Sequence, residues 1–328
     1  MTYFWVSALA LTTLLYVLLD GFDLGVGILF GLTRNERLRQ TMLAAISPVW
    51  DGNETWLVLT AAILFGAFPI IYATLLSAFY LPLILMLGAL ILRGVAFEFR
   101  YKATTSRWLW DFGFAGGSLL ASFVQGATVG SLVEGLPMRN GHYAGGMWDW
   151  FGGFSCLSGL GLCLGYSLLG AGWLVAKDDG ELRERGYRLI VPLTVNILCF
   201  LAISFIYAEA RHFQIMERWF QRPYLVVFPI IGACASLALV AGPRLRKDAL
   251  PLLMTALIFL SAFGTLAISF WPYMIPFSIT IDQAAAPTTS LTFMFWGAGL
   301  IVLPITLIYT GAVYRVFSGK VAGSDHYH

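Results

Sequence analysis

The residues of this sequence best suited to chemistry are acids set inside long apolar runs. Asp20 and Asp23 interrupt the first such run, and Asp51 and Glu54 lie within Trp50-Asp-Gly-Asn-Glu-Thr-Trp56. Glu98 and Lys102 close a third run. A carboxylate at bilayer depth costs several kcal/mol unless it is paired, hydrated or protonated. Acids three residues apart, or an acid and a base four apart, share one face of a helix. Carboxyl groups shielded from water can hold and release protons near neutral pH. The expectation is therefore a proton path through Asp20, Asp23, Asp51, Glu54, Glu98 and Lys102, with Asp20 and Asp23 about 18 and 14 Å from a helix end near Leu32. The competing reading is a structural cluster in which Asp51 or Glu98 pairs with Arg93, Arg100 or Lys102, or in which Asp20 caps nearby backbone.

The elements that must position these acids follow from composition. Of 328 residues, 59% are apolar and 12% charged, with a mean hydropathy of +0.78. So apolar a surface must face lipid, and runs of more than eighteen nearly uncharged residues match a hydrocarbon core of roughly 30 Å. The strict alternation of barrel strands is missing. The fold class is all-α integral membrane with about nine transmembrane helices, near 4–32, 46–70, 74–97, 111–134, 149–175, 187–210, 224–242, 249–271 and 289–316. The break at Phe68-Pro69 is so short that the second and third spans should pack as an antiparallel pair.

Sixteen of the twenty Lys and Arg then fall on one side, counting Arg93 with its helix end, and only Arg139, Arg211, Arg218 and Arg222 on the other. The positive-inside rule places the N-terminus outside and the C-terminus in the cytoplasm. Residues 1–328 read as one polytopic membrane domain, ending in a short flexible tail of about 319–328. The N-terminus lacks a basic leader region and reads as a retained first helix.

Other residue types narrow the chemistry. A net charge of +2 gives no basic surface for nucleic acid. Cys156, Cys163, Cys199 and Cys234 show no zinc-type spacing and read as small buried packing residues. His142, His212, His326 and His328 fall in loops, at a helix end or in the tail, so no haem ligation through His and no metal site is expected; Met86 and Met254 read as packing. Asn53-Glu-Thr55 is a chance glycosylation match inside a span. Glycines four apart (Gly21 and Gly25, Gly27 and Gly31, Gly126 and Gly130, Gly161 and Gly165) predict close helix crossings, and Gly21–Gly27 lacks the order of a nucleotide loop. Trp5, Trp108, Trp110, Trp148, Trp150, Trp219 and Trp271 read as interfacial anchors. Two prolines in Trp271-Pro-Tyr-Met-Ile-Pro276 predict a shaped connection up to Pro287.

The motifs Asp20-Gly-Phe-Asp-Leu-Gly25 and Trp50-Asp-Gly-Asn-Glu-Thr-Trp56 resemble those of subunit II of the bacterial cytochrome bd quinol oxidases. The resemblance continues through Phe97-Glu-Phe-Arg-Tyr-Lys102, Glu134-Gly-Leu-Pro137, Phe270-Trp-Pro-Tyr-Met-Ile-Pro276 and Leu303-Pro-Ile-Thr-Leu-Ile-Tyr309. It implies a terminal oxidase of the bacterial cytoplasmic (inner) membrane that oxidises quinol, reduces oxygen to water and contributes to the proton motive force. It implies two haems b and one haem d in a partner subunit I, whose assembly this subunit supports, a small single-helix accessory subunit, and a structural quinone in some members. It also implies a proton route through the acid at Asp51 and an apolar oxygen route near Trp56, while Glu98 stands where some relatives have Asp and Glu54 where some have Gln. From the residues alone, the alternatives are a proton-coupled secondary transporter and a purely structural scaffold.

Overall fold

The computed structural model describes residues 1–242 and 246–321, with the backbone alone at 220 and 221. Arg244, His326 and His328 lie outside the described residues. Among the described residues, eight helices are long and apolar enough to cross a membrane. They are α1 (Thr2–Gly31), α4 (Pro69–Lys102), α5 (Arg107–Glu134), α6 (Gly153–Lys177), α7 (Glu181–Ala210), the Pro223–Val226 turn that follows the short α8 (Gln214–Gln221) and runs into α9 (Val227–Ala241), α10 (Ala249–Phe270), and a continuous element from α12 (Thr288–Met294) to α13 (Leu303–Val316). The ninth expected span is α3 (Trp50–Ala67), whose 18 residues open on the polar Asp51-Gly-Asn-Glu54 turn. Only Phe68 separates α3 from α4.

Helix α1 is the centre, touching α3, α5 and α6. Its approach to α6 depends on glycine. A Cβ at Gly25 would stand 1.7 Å from the Tyr166 carbonyl oxygen, and one at Gly170 would stand 2.5 Å from the Gly25 carbonyl carbon. Backbones this close gain contact that apolar association cannot supply in lipid. Gly126 does the same for α5, 2.5 Å from the Ser158 carbonyl oxygen of α6.

Prolines shape the other long helices. Pro82 removes a donor from α4, and the backbone departs from helical values at Phe79 (φ −121°, ψ 20°). Pro304 leaves the carbonyl four residues before it without an N–H, and the preceding Phe295–Val302 segment widens into a π-helix. At one end of the bundle the connection after α10 is shaped as its prolines predict. Strands β3 (Tyr273–Ile275) and β4 (Ile279–Thr280) pair, α11 (Ile281–Ala284) opens on a capping box of Thr280 and Gln283, and Ala286 N–H donates to the Ala67 carbonyl at 2.9 Å.

Several expectations change. The Arg34–Arg39 stretch is not simply loop. Asn35 caps α2 (Glu36–Ile46), accepting from Arg37 and Leu38 N–H, and Leu38, Met42, Leu43 and Ile46 bury one face of it. Trp5 is buried rather than interfacial, because its indole N–H finds the Leu291 carbonyl at 3.1 Å; Trp150 is buried as well. Only Cys163 of the four cysteines is buried, since Cys199 and Cys234 lie on outward faces of α7 and α9 and Cys156 is intermediate. The start of the expected tail is tied down: Val321 N–H donates to the Lys177 carbonyl at 2.8 Å, and Lys320 reaches Asp248 at 2.7 Å.

Candidate functional site: an acid-rich arginine cluster

The bundle places one guanidinium against three carboxyl groups. Arg93, on α4 and 1% exposed, donates through one nitrogen to Asp20 Oδ1 at 2.9 Å and to Glu54 Oε1 at 3.1 Å. Its other terminal nitrogen stands 4.0 Å from Asp23 Oδ2. Asp20 and Asp23 are fully buried, and Glu54 retains 29% of its side-chain exposure. The acids on α1 share a face because they are three residues apart.

On α3 a rotation of about 100° per residue turns Asn53 and Glu54 inward together. Asn53 donates to Asp23 Oδ2 at 2.7 Å and to the Leu19 carbonyl at 3.2 Å, and its own oxygen accepts from the Tyr314 hydroxyl of α13 at 2.9 Å. It is 1% exposed, so its glycosylation match is buried and fully used. Asp20 Oδ2, Asp23 Oδ1 and two Arg93 nitrogens have no hydrogen-bond partner. In a low-dielectric interior such atoms are costly, and unpaired carboxylate oxygens are where a proton can bind.

The structure thus gathers Asp20, Asp23 and Glu54 and leaves Asp51, Glu98 and Lys102 outside, with no ion pair among the described residues. The reason is helical phase. Asp51 lies about 60° round the helix from Glu54, on the side away from Asn53, and is exposed. Arg93 and Arg100, seven apart, share the inward stripe of α4, while Glu98 and Lys102 fall on its outer side and are exposed. The single column of six residues is therefore a buried cluster of three and an outer set of three. Arg93 pairs with Asp20 and Glu54 rather than with Asp51 or Glu98. The seven-residue spacing of Arg93 and Arg100 was the available signal. Asn53 had no such signal beyond its neighbour Glu54, and Tyr314 had none, because its contact spans 261 positions.

A second ionic group closes the basic end. Arg100, 2% exposed, donates to Asp111 at 2.5 Å and to Glu36 at 2.9 Å. Arg39 also reaches Asp111, at 2.7 Å, and Arg107 reaches Glu36 at 3.5 Å. Arg39 and Arg100 lie over the Phe30 ring at 4.8 and 5.2 Å.

Trp56 is wholly buried with its indole N–H unpartnered. The two described histidines, His142 on β2 (His142–Tyr143) and His212 just past α7, are exposed and lie off the helices. Neither described histidine stands inside the bundle, where an axial haem ligand would have to be. A cleft of about 650 Å³ opens where α4 begins, between Ile70, Thr74, Asn140, His142, Ser278 and Gln283, and no Asp, Glu, Lys or Arg lines it.

Fold and site together define a multi-pass helical membrane protein with charged groups held in its interior. The profile described as "Cytochrome bd terminal oxidase subunit II" matches residues 1–317. The "Cytochrome bd ubiquinol oxidase subunit 2" of Bacillus subtilis is 30% identical, over 98% of this chain and 97% of its own. The "Cytochrome bd-I ubiquinol oxidase subunit 2" of Escherichia coli K12 is 28% identical, over 94% of this chain and 92% of its own. A chain of the bd oxidase from Geobacillus thermodenitrificans has the same fold, with a TM-score of 0.75 at 17% identity, covering 96% of this chain and 98% of that one. This chain belongs to the cytochrome bd terminal oxidase subunit II family, as a multi-pass protein of the bacterial inner membrane and a subunit of a respiratory terminal oxidase.

Proposed function

We propose that this chain is the non-haem-ligating subunit of a quinol-oxidising, oxygen-reducing complex, and that Asp20, Asp23 and Glu54 around Arg93 hold protons destined for that oxygen chemistry. The haems, two of type b and one of type d, belong to subunit I, where they would carry electrons from quinol to oxygen. The exposed positions of His142 and His212 favour this division. The observation that carries the proton role is charge balance. One buried cation faces three carboxyl groups, so the cluster is neutral only when two of them are protonated.

With the basic end in the cytoplasm, Glu54 is the partly exposed member through which a proton reaches Asp20 and Asp23. Asp51, Glu98 and Lys102 belong to the outer surface at that end, where they deliver protons from water or meet subunit I. An oxygen route lined by Trp56 would run inside this chain, since that ring has no exposed surface. A scaffold role, which stabilises subunit I with its haems and the small accessory subunit, is compatible with the same cluster; a transporter role is set aside by the family.

Isolating the tagged chain from its own membranes tests the division of labour. A haem-bearing partner should copurify, and the haem should stay with that partner when the two are separated. Haem remaining on this chain would overturn the reading. In the complex, Asp23→Asn with normal haem spectra and slowed proton uptake supports proton holding, whereas loss of haem supports the scaffold.

A further inference from the structure

A second buried polar chain reaches α1 one helical turn from the cluster. Tyr166 of α6 donates its hydroxyl to Gln125 Oε1 at 2.9 Å, and Gln125 of α5 donates through Nε2 to the Tyr16 hydroxyl at 2.7 Å. Tyr16 and Tyr166 are buried and Gln125 is 9% exposed. Tyr16 stands four residues before Asp20 on α1, on the same face of the helix. Helical side chains lean toward the N-terminus, so Asp20 leans back onto Tyr16. Room for the Tyr166 ring comes from Gly21, where a Cβ would stand 2.6 Å from it.

Donor and acceptor counting fixes the direction of this chain. Tyr166 has no other hydrogen-bond partner among the described residues, so its single proton goes to the amide oxygen of Gln125. The amide nitrogen must then donate, and Tyr16 accepts. That leaves the Tyr16 proton uncommitted, and Asp20, one helical turn further on α1, carries a buried oxygen with no partner, Oδ2.

We propose that Gln125 and Tyr16 are positioning residues for the cluster: Gln125 orients Tyr16 as a donor to Asp20, keeping Asp20 the ionised partner of Arg93, so that Asp23 and Glu54 are the pair that exchanges protons. The inference rests on the proton-holding reading and refines it. Hydrogen bonding to the charged form of a carboxyl favours that form, and removing the donor favours protonation.

Infrared difference spectra of the purified oxidase complex, taken between acid and neutral pH with haem content measured in parallel, test it. The unsubstituted complex should show no protonated-carboxyl band at neutral pH that Asp20→Asn abolishes. Tyr16→Phe keeps the ring and removes the proton; Gln125→Leu removes the orienting amide. Each should bring up one such band at neutral pH, lost again when Asp20→Asn is added, with turnover reduced less than by Asp20→Asn alone. Absence of an Asp20-dependent band in both variants, or its presence already in the unsubstituted complex, overturns the inference. If Asp23→Asn leaves turnover and proton uptake unchanged, the proton-holding reading itself fails; if it slows both while neither Tyr16→Phe nor Gln125→Leu shows the band, only the orienting role of Gln125 and Tyr16 fails.

Discussion

Two arginines seven residues apart on α4 sit in opposite kinds of site. Arg93 and Arg100 are 1% and 2% exposed, so burial does not separate them. Around Arg100, three guanidiniums share two carboxylates, Glu36 and Asp111, both partly open to solvent. Around Arg93 a single guanidinium faces three carboxyl groups, two of them sealed, and oxygens and nitrogens are left unpartnered. The first is a clasp in which opposite charges are nearly matched, tying α2, α4 and α5. The second is short of positive charge and must take up protons to be neutral. Stoichiometry, more than depth, separates the two ionic groups, and the proposed proton role rests on that difference.

The comparison is broken most severely at Arg93. Arg93→Gln leaves three carboxyl groups facing no cation, and removing one partner of a buried pair costs about 3–5 kcal/mol. The complex should fail to accumulate, measured as haem-containing oxidase per membrane protein. Glu54→Gln works the other way by removing surplus acid. Thermal stability should hold or rise, while turnover per haem falls on the order of tenfold, short of the roughly 10²–10⁴-fold of a single essential proton-transfer group because two carboxyls remain.

Arg100→Gln should lower stability by about 1–3 kcal/mol, as expected for charge-assisted hydrogen bonds with partly exposed partners. Turnover per haem should not change, checked by thermal melts beside oxygen consumption. Equal turnover losses at Arg100 and Glu54 would erase the distinction between the two sites.

The smallest effect lies at the C-terminal latch, a third ionic group. Burial pushes the Asp248 carboxyl up, but hydrogen bonds from Lys320, Arg183 and Tyr187 together hold it below the ordinary aspartate value. A carboxyl whose folded value is depressed contributes stability above its unfolded value, and that contribution fades as pH falls through the folded one. Lys320→Ala should therefore cost up to about 1 kcal/mol at neutral pH and nothing well below pH ~4, read from melts across that range.

How much of this was legible in sequence depended on range. Long apolar runs and the Asp20/Asp23 spacing fix elements and one face of α1, because helical phase is local. The same phase rule, applied to α4, pairs Arg93 with Arg100 and turns Glu98 and Lys102 outward. Applied across helices it fails. Nothing local says that Asp51 points away while Asn53 reaches Asp23, or that Tyr314 and Gln125 arrive from distant helices. Arg39 and Arg100 counted correctly as charge at one end, yet as side chains they form a clasp. Trp5 looked interfacial because it lies near a terminus, and it is buried because the Leu291 carbonyl lies within its reach.

The most direct measurement is proton uptake during oxygen reduction by the assembled oxidase carrying Asp23→Asn, with haem spectra recorded on the same sample. Asp23 is wholly buried and is held by Asn53 rather than by a close ion pair, so Asn should preserve packing while removing a proton-binding oxygen. The expected result is an unchanged haem spectrum with proton uptake and oxygen consumption slowed together. Unchanged uptake and turnover with normal haem would contradict a proton-holding role for the Arg93 cluster.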